Sequence, residues 1–178
     1  MRVTAGRAKG RELRGPPGAR PSSGRVRAAL FSALVALGAD LSRVLDLYAG
    51  SGALGIEALS RGAGSCDFVD ESPAACRQVR RNLESTGLSA QGRVHCLPVE
   101  KAPERLRGPY TLVLADPPYG DPSALGALER VAASPLVEPG RTVLVLEHSS
   151  RAAPPERLGP LGLTKTLRHG DSALSFYR

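Results

Sequence analysis

From Arg43 onward the chain alternates short β-rich runs with helical stretches, and that alternation constrains the fold more than any other feature. RVLDLY is followed by ALGIEALSRG, CDFVD by PAACRQVRRNLESTG, RVHCLP by a short helical stretch, YTLVLAD by ALGALERVAA, and RTVLVLEH closes the series. Strands separated by helix-length segments pair in parallel, because the crossover returns each strand to the same edge direction. The runs YTLVLA and TVLVLE are apolar at nearly every position, as strands buried on both faces must be. The expected fold is therefore α/β, a mostly parallel sheet with helices on both faces. After Pro154 and Pro155, LTKTLRHG and SALSFYR are separated only by Gly170 and Asp171, which predicts a terminal antiparallel β-hairpin. Phe176 and Tyr177 are expected to pack this last strand.

The first strand runs straight into VLDLYAGSGALGIEAL, where Gly50, Gly52 and Gly55 form G-x-G-x-x-G opening a helix, with Asp70 at the end of the next strand. Such a turn lets backbone approach a ligand closely, and an acid at that distance takes the hydroxyls of a ribose. A nucleoside-bearing cofactor follows, either a nicotinamide dinucleotide or S-adenosylmethionine; no Gly-Lys-Ser/Thr follows the loop, so a Walker phosphate site does not. Asp46 lies within the apolar run of the first strand and needs a cation or hydrogen-bond donors there. A sulfonium would be welcome beside it and a pyrophosphate would be repelled; amides of the glycine loop are the other available partners.

Directly after YTLVLA stands Asp116-Pro117-Pro118-Tyr119. Two prolines remove two N–H donors and hold the preceding residues extended, leaving carboxylate and carbonyl oxygens as acceptors toward a pocket. Such a rim suits the hydrogens of an exocyclic amine, and Tyr119 offers a face on which an extruded base stacks. The carboxyl end of a strand in an open α/β sheet is where ligands bind.

The net charge of +7 is concentrated in residues 1–43, which hold nine basic and two acidic side chains, whereas the remainder balances at 15 of each. A basic N-terminal arm on a neutral body fits a polyanionic partner, nucleic acid first. RVTAGRAKGRELRG reads as a small basic β-hairpin turning between Gly6 and Gly10, followed by the Pro/Gly/Ser linker GPPGARPSSG. Ser22 or Ser23 then caps a helix that docks through Val26, Leu30, Ala33, Leu34 and Leu37. Residues 1–21 are expected to form the arm and linker, and 22–178 a single catalytic domain. The uncharged stretch Ala28–Ala39 is far short of a membrane span, and the basic start lacks the apolar core of a signal peptide, so a cytoplasmic location with no membrane partner is expected.

Cys66, Cys76 and Cys96 have no metal-ligand spacing and read as buried free thiols, and His95, His148 and His169 as structural histidines, so no metal is expected. Arg77, Arg80, Arg81 and Glu84 read as an exposed helix face with ion pairs. Glu147 ends the strand TVLVLE in a region able to line the pocket, with a solvated strand end the favoured reading.

Asp46, Gly50 and Gly52, then Asp70, then Asp116-Pro117-Pro118-Tyr119 resemble the class I S-adenosylmethionine-dependent methyltransferases that act on amino nitrogens of bases. Gly6, Gly10-Arg11, Leu13, Arg20-Pro21-Ser22, Arg25-Val26-Arg27 and Leu30-Phe31 further resemble the opening of the RsmD family, which methylates a guanine N2 (the guanine 966 type) in small-subunit 16S ribosomal RNA. The resemblance implies a Rossmann-like domain with a seven-stranded sheet and S-adenosyl-L-methionine as cofactor. It implies cofactor contacts by Asp46, Tyr48, Gly50, Ser51, Gly52, Asp70, Glu71, Val99 and Asp116. It places the target guanine against Asp116, Pro117, Pro118 and Tyr119, and assigns RNA docking to Arg7, Lys9, Arg11, Arg20, Ser22, Arg25 and Arg27. The expected partner is 16S rRNA within the small subunit or its assembly intermediate, met by a monomer. The sequence departs from the family in having Ser22 for Thr, Gly24 for Asp, and Pro98-Val99-Glu100 where an Asn or Asp meets the adenine; Glu100 or main chain then takes that contact. Read without the resemblance, the residues leave open a DNA or RNA amino-methyltransferase acting on adenine N6 or cytosine N4, an NAD-dependent oxidoreductase, and a non-catalytic RNA-binding assembly protein.

Overall fold

Val44 and Asp46 point to one side of the first strand and Leu45 and Leu47 to the other, and all four are buried. That two-sided burial is repeated along the sheet and sets the architecture. The computed structural model describes residues 1–16 and 23–178; Arg20 and Ser22, both expected at the RNA, lie outside the described residues. Strands β1 (Arg43–Leu47), β2 (Ser65–Asp70), β3 (Gly92–Cys96), β4 (Leu112–Ala115) and β5 (Val143–Ser149) are parallel neighbours, and the antiparallel β6 (Arg157–Leu158), β7 (Leu161–His169) and β8 (Ser172–Tyr177) complete one sheet of order β3-β2-β1-β4-β5-β8-β7-β6. The sheet thus has eight strands where seven were expected. The additional one, β6, is two residues long and too short to show any periodicity in sequence.

Helices α1 (Gly24–Ala36), α2 (Ala53–Ser60) and α3 (Pro73–Thr86) cover one face with Val44, Leu112, Leu114, Val143 and Val145 beneath them. A 3₁₀ turn at Val99–Lys101, α4 (Ala102–Arg105) and α5 (Ala124–Ala132) cover the other face over Leu45, Leu47, Val113, Ala115, Leu144 and Leu146. Ser23 caps α1 by accepting from the Val26 amide, and Val26, Leu30, Ala33 and Leu34 are buried as its periodicity requires. Phe176 and Tyr177 are fully buried, one on each side of the sheet. Among the described residues no helix is long and apolar enough to cross a membrane.

The N-terminal segment reverses between Gly6 and Gly10 as expected, and its two arms pair antiparallel: Met1 and Leu13 exchange amide-to-carbonyl bonds, Val3 donates to Arg11 and Gly10 to Val3 around the Arg2–Glu12 bridge. The hairpin is fastened to α2 by the amides near its turn. Glu57, fully buried, accepts from the Thr4 amide at 2.8 Å, the Thr4 hydroxyl at 2.6 Å and the Ala5 amide at 3.0 Å, while Ser60 takes the amides of Arg7 and Ala8. Gly6 lies so close to the Ser60 carbonyl that any Cβ there would collide with it. Val3, Ala8 and Leu13 thereby enter the same core as α1 and α2. Arg7, Lys9 and Arg11 remain exposed.

Arg27 corrects the expectation that it meets RNA. It is 1% exposed, its Nη2 donates to the Arg2 carbonyl at 2.7 Å, and its Nε lies 3.9 Å from Glu57. Burial lowers its pKa and the carboxylates of Glu57 and Glu147 oppose that loss. Arg27 is one i,i+4 turn from Phe31 and belongs to the buried stripe of α1, whereas Arg25 is on the exposed side. Cys66 and Cys76 are buried, but Cys96 is exposed because β3 is the edge strand. His95 Nε2 lies 2.7 Å from Asp67, and His148 Nε2 lies 2.8 Å from the Ser175 hydroxyl, so both rings have structural partners. Burial pushes the Asp67 carboxyl up, but the bonds from His95 and Tyr110 more than offset this and it titrates below the usual range.

Candidate active site

β1 is hydrogen-bonded to β2 on one side and β4 on the other, so consecutive crossovers leave it in opposite directions and a crevice opens beyond its carboxyl end. A cleft of about 810 Å³ occupies that place. It is lined by Asp46, Tyr48, Gly50 and Ser51 from the first loop, Asp70 and Glu71 after β2, Val99 and Glu100 after β3, and Asp116 to Tyr119 after β4. Every residue expected at the cofactor lines the cleft except Gly52.

Gly52 instead shapes the loop. It precedes α2 with φ +75°, and its amide donates to the Ala49 carbonyl at 2.6 Å. A Cβ at Gly52 would press on Val79, Ile56 and Phe68 at 3.1 to 3.3 Å, and one at Gly55 would overlap the Phe68 ring and the Cys66 sulfur. The first position thus needs glycine for its backbone conformation and the second for close helix-to-sheet packing.

The loop's amides are held by carboxylates. Gly50 donates to Asp70 Oδ2 at 2.8 Å and Ser72 to Asp70 Oδ1 at 2.9 Å, while Gly55 in the first turn of α2 donates to Asp46 Oδ2 at 2.9 Å. Asp46 therefore has the loop-amide partner anticipated from sequence. Burial pushes its carboxyl well above the usual range, and Asp116 and Asp70 nearby push the same way. Burial together with the charges of Asp121, Glu100 and Glu71 raises the Tyr48 hydroxyl to about 12. Tyr48 also has φ +57°, a left-handed conformation unusual for an aromatic residue, at the point where the chain leaves β1 for the glycine loop.

Beyond the expected residues the cleft is lined by Asp121, Ser123, Glu147, His169, Asp171 and Ser172. The Tyr119 hydroxyl lies 2.7 Å from Ser172 Oγ, which joins the loop after β4 to the turn between β7 and β8. Glu147 is 5% exposed and faces the cleft, not solvent. The sequence allows this place but favours a solvated strand end, because the run TVLVLE does not say which strand lies beside it. The turn at His169 to Ser172 was missed for the same reason. Among the described residues, the lining holds eight carboxylates (Asp46, Asp70, Glu71, Glu100, Asp116, Asp121, Glu147, Asp171) and no lysine or arginine. Such a cleft favours a cationic ligand and disfavours a pyrophosphate, whose natural seat of loop amides is already taken by Asp46 and Asp70.

The chain matches the family described as "Conserved hypothetical protein 95" over residues 1–178. It is 33% identical over 184 residues to the YlbH protein of Bacillus subtilis, covering 100% of this chain and 98% of that one. It is 36% identical over 121 residues to ribosomal RNA small subunit methyltransferase D of Escherichia coli K12, an alignment that spans 67% of this chain and 60% of that relative. The solved structure of the yhhF protein of Escherichia coli superposes with a TM-score of 0.85 at 27% identity, covering 99% of this chain and 96% of that one. With the family match spanning the whole chain, and with the class I methyltransferase fold and its glycine loop in place, this protein belongs to the RsmD family of methyltransferases.

Proposed function

We propose that this protein methylates the exocyclic N2 amine of a guanine in small-subunit ribosomal RNA, using S-adenosyl-L-methionine. The observation that carries the reading is the acidic cleft at the β1/β4 crevice, with the acceptor rim Asp116-Pro117 at its edge. The donor fits the residues present: a buried Asp46 suits a cationic neighbour, Asp70 suits ribose hydroxyls, and Val99 beside Glu100 offers an apolar and an acceptor surface to a purine. When bound, S-adenosylmethionine supplies a methyl group activated by a sulfonium leaving group.

The protein's own contribution is positioning. An arylamine is a poor nucleophile because its lone pair is delocalised into the ring. The Asp116 carboxylate and the Pro117 carbonyl accept its two hydrogens, which restores lone-pair character at nitrogen and aims it along one line. Tyr119, 43% exposed at the rim, provides the stacking face for the extruded base. The ammonium product is strongly acidic, so its proton leaves through the Asp116 carboxylate to water without a stronger base. Arg7, Lys9, Arg11 and Arg25, all exposed, supply the phosphate contacts, and the RNA is met in the small subunit or its assembly intermediate by a single copy of the chain.

Incubation with labelled S-adenosylmethionine and unmodified small-subunit particles, free RNA or DNA, followed by nucleoside mass spectrometry, tests donor, polymer and atom together. N2-methylguanosine at one position of small-subunit RNA is expected. Label on an adenine or cytosine amine, or on DNA, would overturn the substrate; no transfer with nicotinamide dinucleotide bound would overturn the reading of the loop.

A further inference from the structure

The acceptor rim at Asp116 and Pro117 does not by itself select guanine, since the amines of adenine and cytosine present the same two hydrogens. Glu147 lies where that choice can be made. Ala115 pairs with Leu146, so one step further along the parallel strands Asp116 stands opposite Glu147. Both share the side of Leu114 and Val145, the face covered by α1 to α3. Glu147 is paired in turn with Leu174 on β8, and Ser172, two residues earlier on that strand, opens on the same side, where its hydroxyl meets Tyr119. Asp116, Glu147 and Ser172, with the Tyr119 it meets, therefore lie on one face of three neighbouring strands, Ser172 two residues along from the position opposite Glu147, and all line the cleft.

A carboxylate at 5% exposure in a run otherwise made of valine and leucine is costly to bury, and packing alone would be better served by another apolar residue. The charge of Glu147 favours the charged form of Arg27, which burial disfavours. Guanine differs from adenine and cytosine at the ring nitrogen next to the amine carbon: guanine N1 carries a hydrogen, whereas adenine N1 and cytosine N3 are acceptors. A second anionic acceptor beside the amine pocket rewards the former and repels the latter two.

We propose that Glu147 is the base-specificity residue of this site, its carboxylate accepting the N1–H of the guanine whose N2 amine is held by Asp116 and the Pro117 carbonyl. The assignment rests on the guanine reading above. It is tested with small-subunit RNA in which the methylated guanine is replaced by 2-aminopurine, which keeps the N2 amine and lacks the N1 hydrogen. The full-length wild-type chain is compared with Glu147→Ala and the near-isosteric Glu147→Gln, each checked by its melting temperature. Wild type is expected to favour guanine over 2-aminopurine in kcat/KM by about tenfold to a hundredfold, the range for a hydrogen bond to a charged group. Glu147→Ala should lose that preference by slowing on guanine alone, and Glu147→Gln, which keeps an oxygen but not the charge, should fall between them. A simple structural role would slow both substrates equally and leave the ratio unchanged, which overturns the assignment, as does a wild type indifferent to the replacement. If Glu147→Ala does not fold, the ratio for Glu147→Gln decides alone. Failure of the guanine reading is distinct from these results, because wild type would then form no N2-methylguanosine on the unmodified RNA.

Discussion

The Tyr119 hydroxyl lies 2.7 Å from Ser172 Oγ, binding the Asp-Pro-Pro-Tyr loop to a turn 53 residues further along the chain. This bond joins two stretches of chain that both line the cleft and holds the ring at its rim.

Removing the ring and removing the bond should therefore have different consequences. Tyr119→Ala loses the stacking face, for which alanine substitution costs about 1–3 kcal/mol per base, and kcat/KM should fall about tenfold to a hundredfold. Tyr119→Phe and Ser172→Ala lose a single neutral hydrogen bond and should cost at most about tenfold. Equal losses for Tyr119→Phe and Tyr119→Ala in a steady-state methylation assay would show that stacking is not the role of this ring.

On the proposed mechanism Asp116→Ala removes an acceptor of the target amine, and the loss should be about 10²–10³-fold in kcat. Asp116→Asn keeps one acceptor oxygen and should lose less. Donor affinity measured by calorimetry should change little in either variant beside that loss. Transfer at the wild-type rate by Asp116→Ala would remove this residue from the mechanism.

Asp46 makes stability depend on pH in a defined direction. Its carboxyl is raised in the folded protein by burial, so the fold retains a proton that the unfolded chain releases. The stabilisation from this group is complete below the ordinary carboxyl range and declines as pH rises toward the raised value. Asp46→Asn keeps an oxygen for the Gly55 amide and removes the titrating group. The donor-free variant should melt a few degrees higher than wild type at pH 7 to 8, since about 1 kcal/mol shifts Tm by 2–4 °C at this size. It should also bind S-adenosylmethionine more weakly. Melting curves from pH 4 to 8 that keep the wild-type slope in the variant would assign the pH dependence to another group.

The basic residues of the N-terminal region should separate into two classes. Arg27→Ala leaves Glu57 and the Arg2 carbonyl short of a buried donor and should cost on the order of 3 kcal/mol of stability. Arg7→Ala, Lys9→Ala, Arg11→Ala and Arg25→Ala should leave the melting temperature within about 2 °C. Each should flatten the slope of log affinity for RNA against log salt by about 1 if it meets a phosphate. Filter binding at several salt concentrations checks this, and an unchanged slope for all four would place the RNA on another face.

The parallel α/β core, the glycine loop, Asp70 at the end of the second strand and the Asp-Pro-Pro-Tyr loop at the end of the fourth are legible in the sequence by itself, because strand periodicity, turn chemistry and cofactor spacing are local properties of the chain. The acidic lining was half legible. Asp46, Asp70 and Asp116 stand inside recognisable motifs, whereas Glu147 reaches the cleft because β5 pairs parallel with β4, and Asp171 and Ser172 because β8 returns antiparallel to β5. Arg27 looked like its exposed neighbour Arg25 until packing put Glu57, a residue 30 positions away, beneath it. The N-terminal hairpin is legible as a hairpin, but that α2 takes the amides near its turn and draws it onto the core is not. A run of side chains states its own periodicity, but whether a charge is solvated, paired or aimed at a substrate depends on which distant surface arrives against it, and that surface exists only once the sheet has assembled.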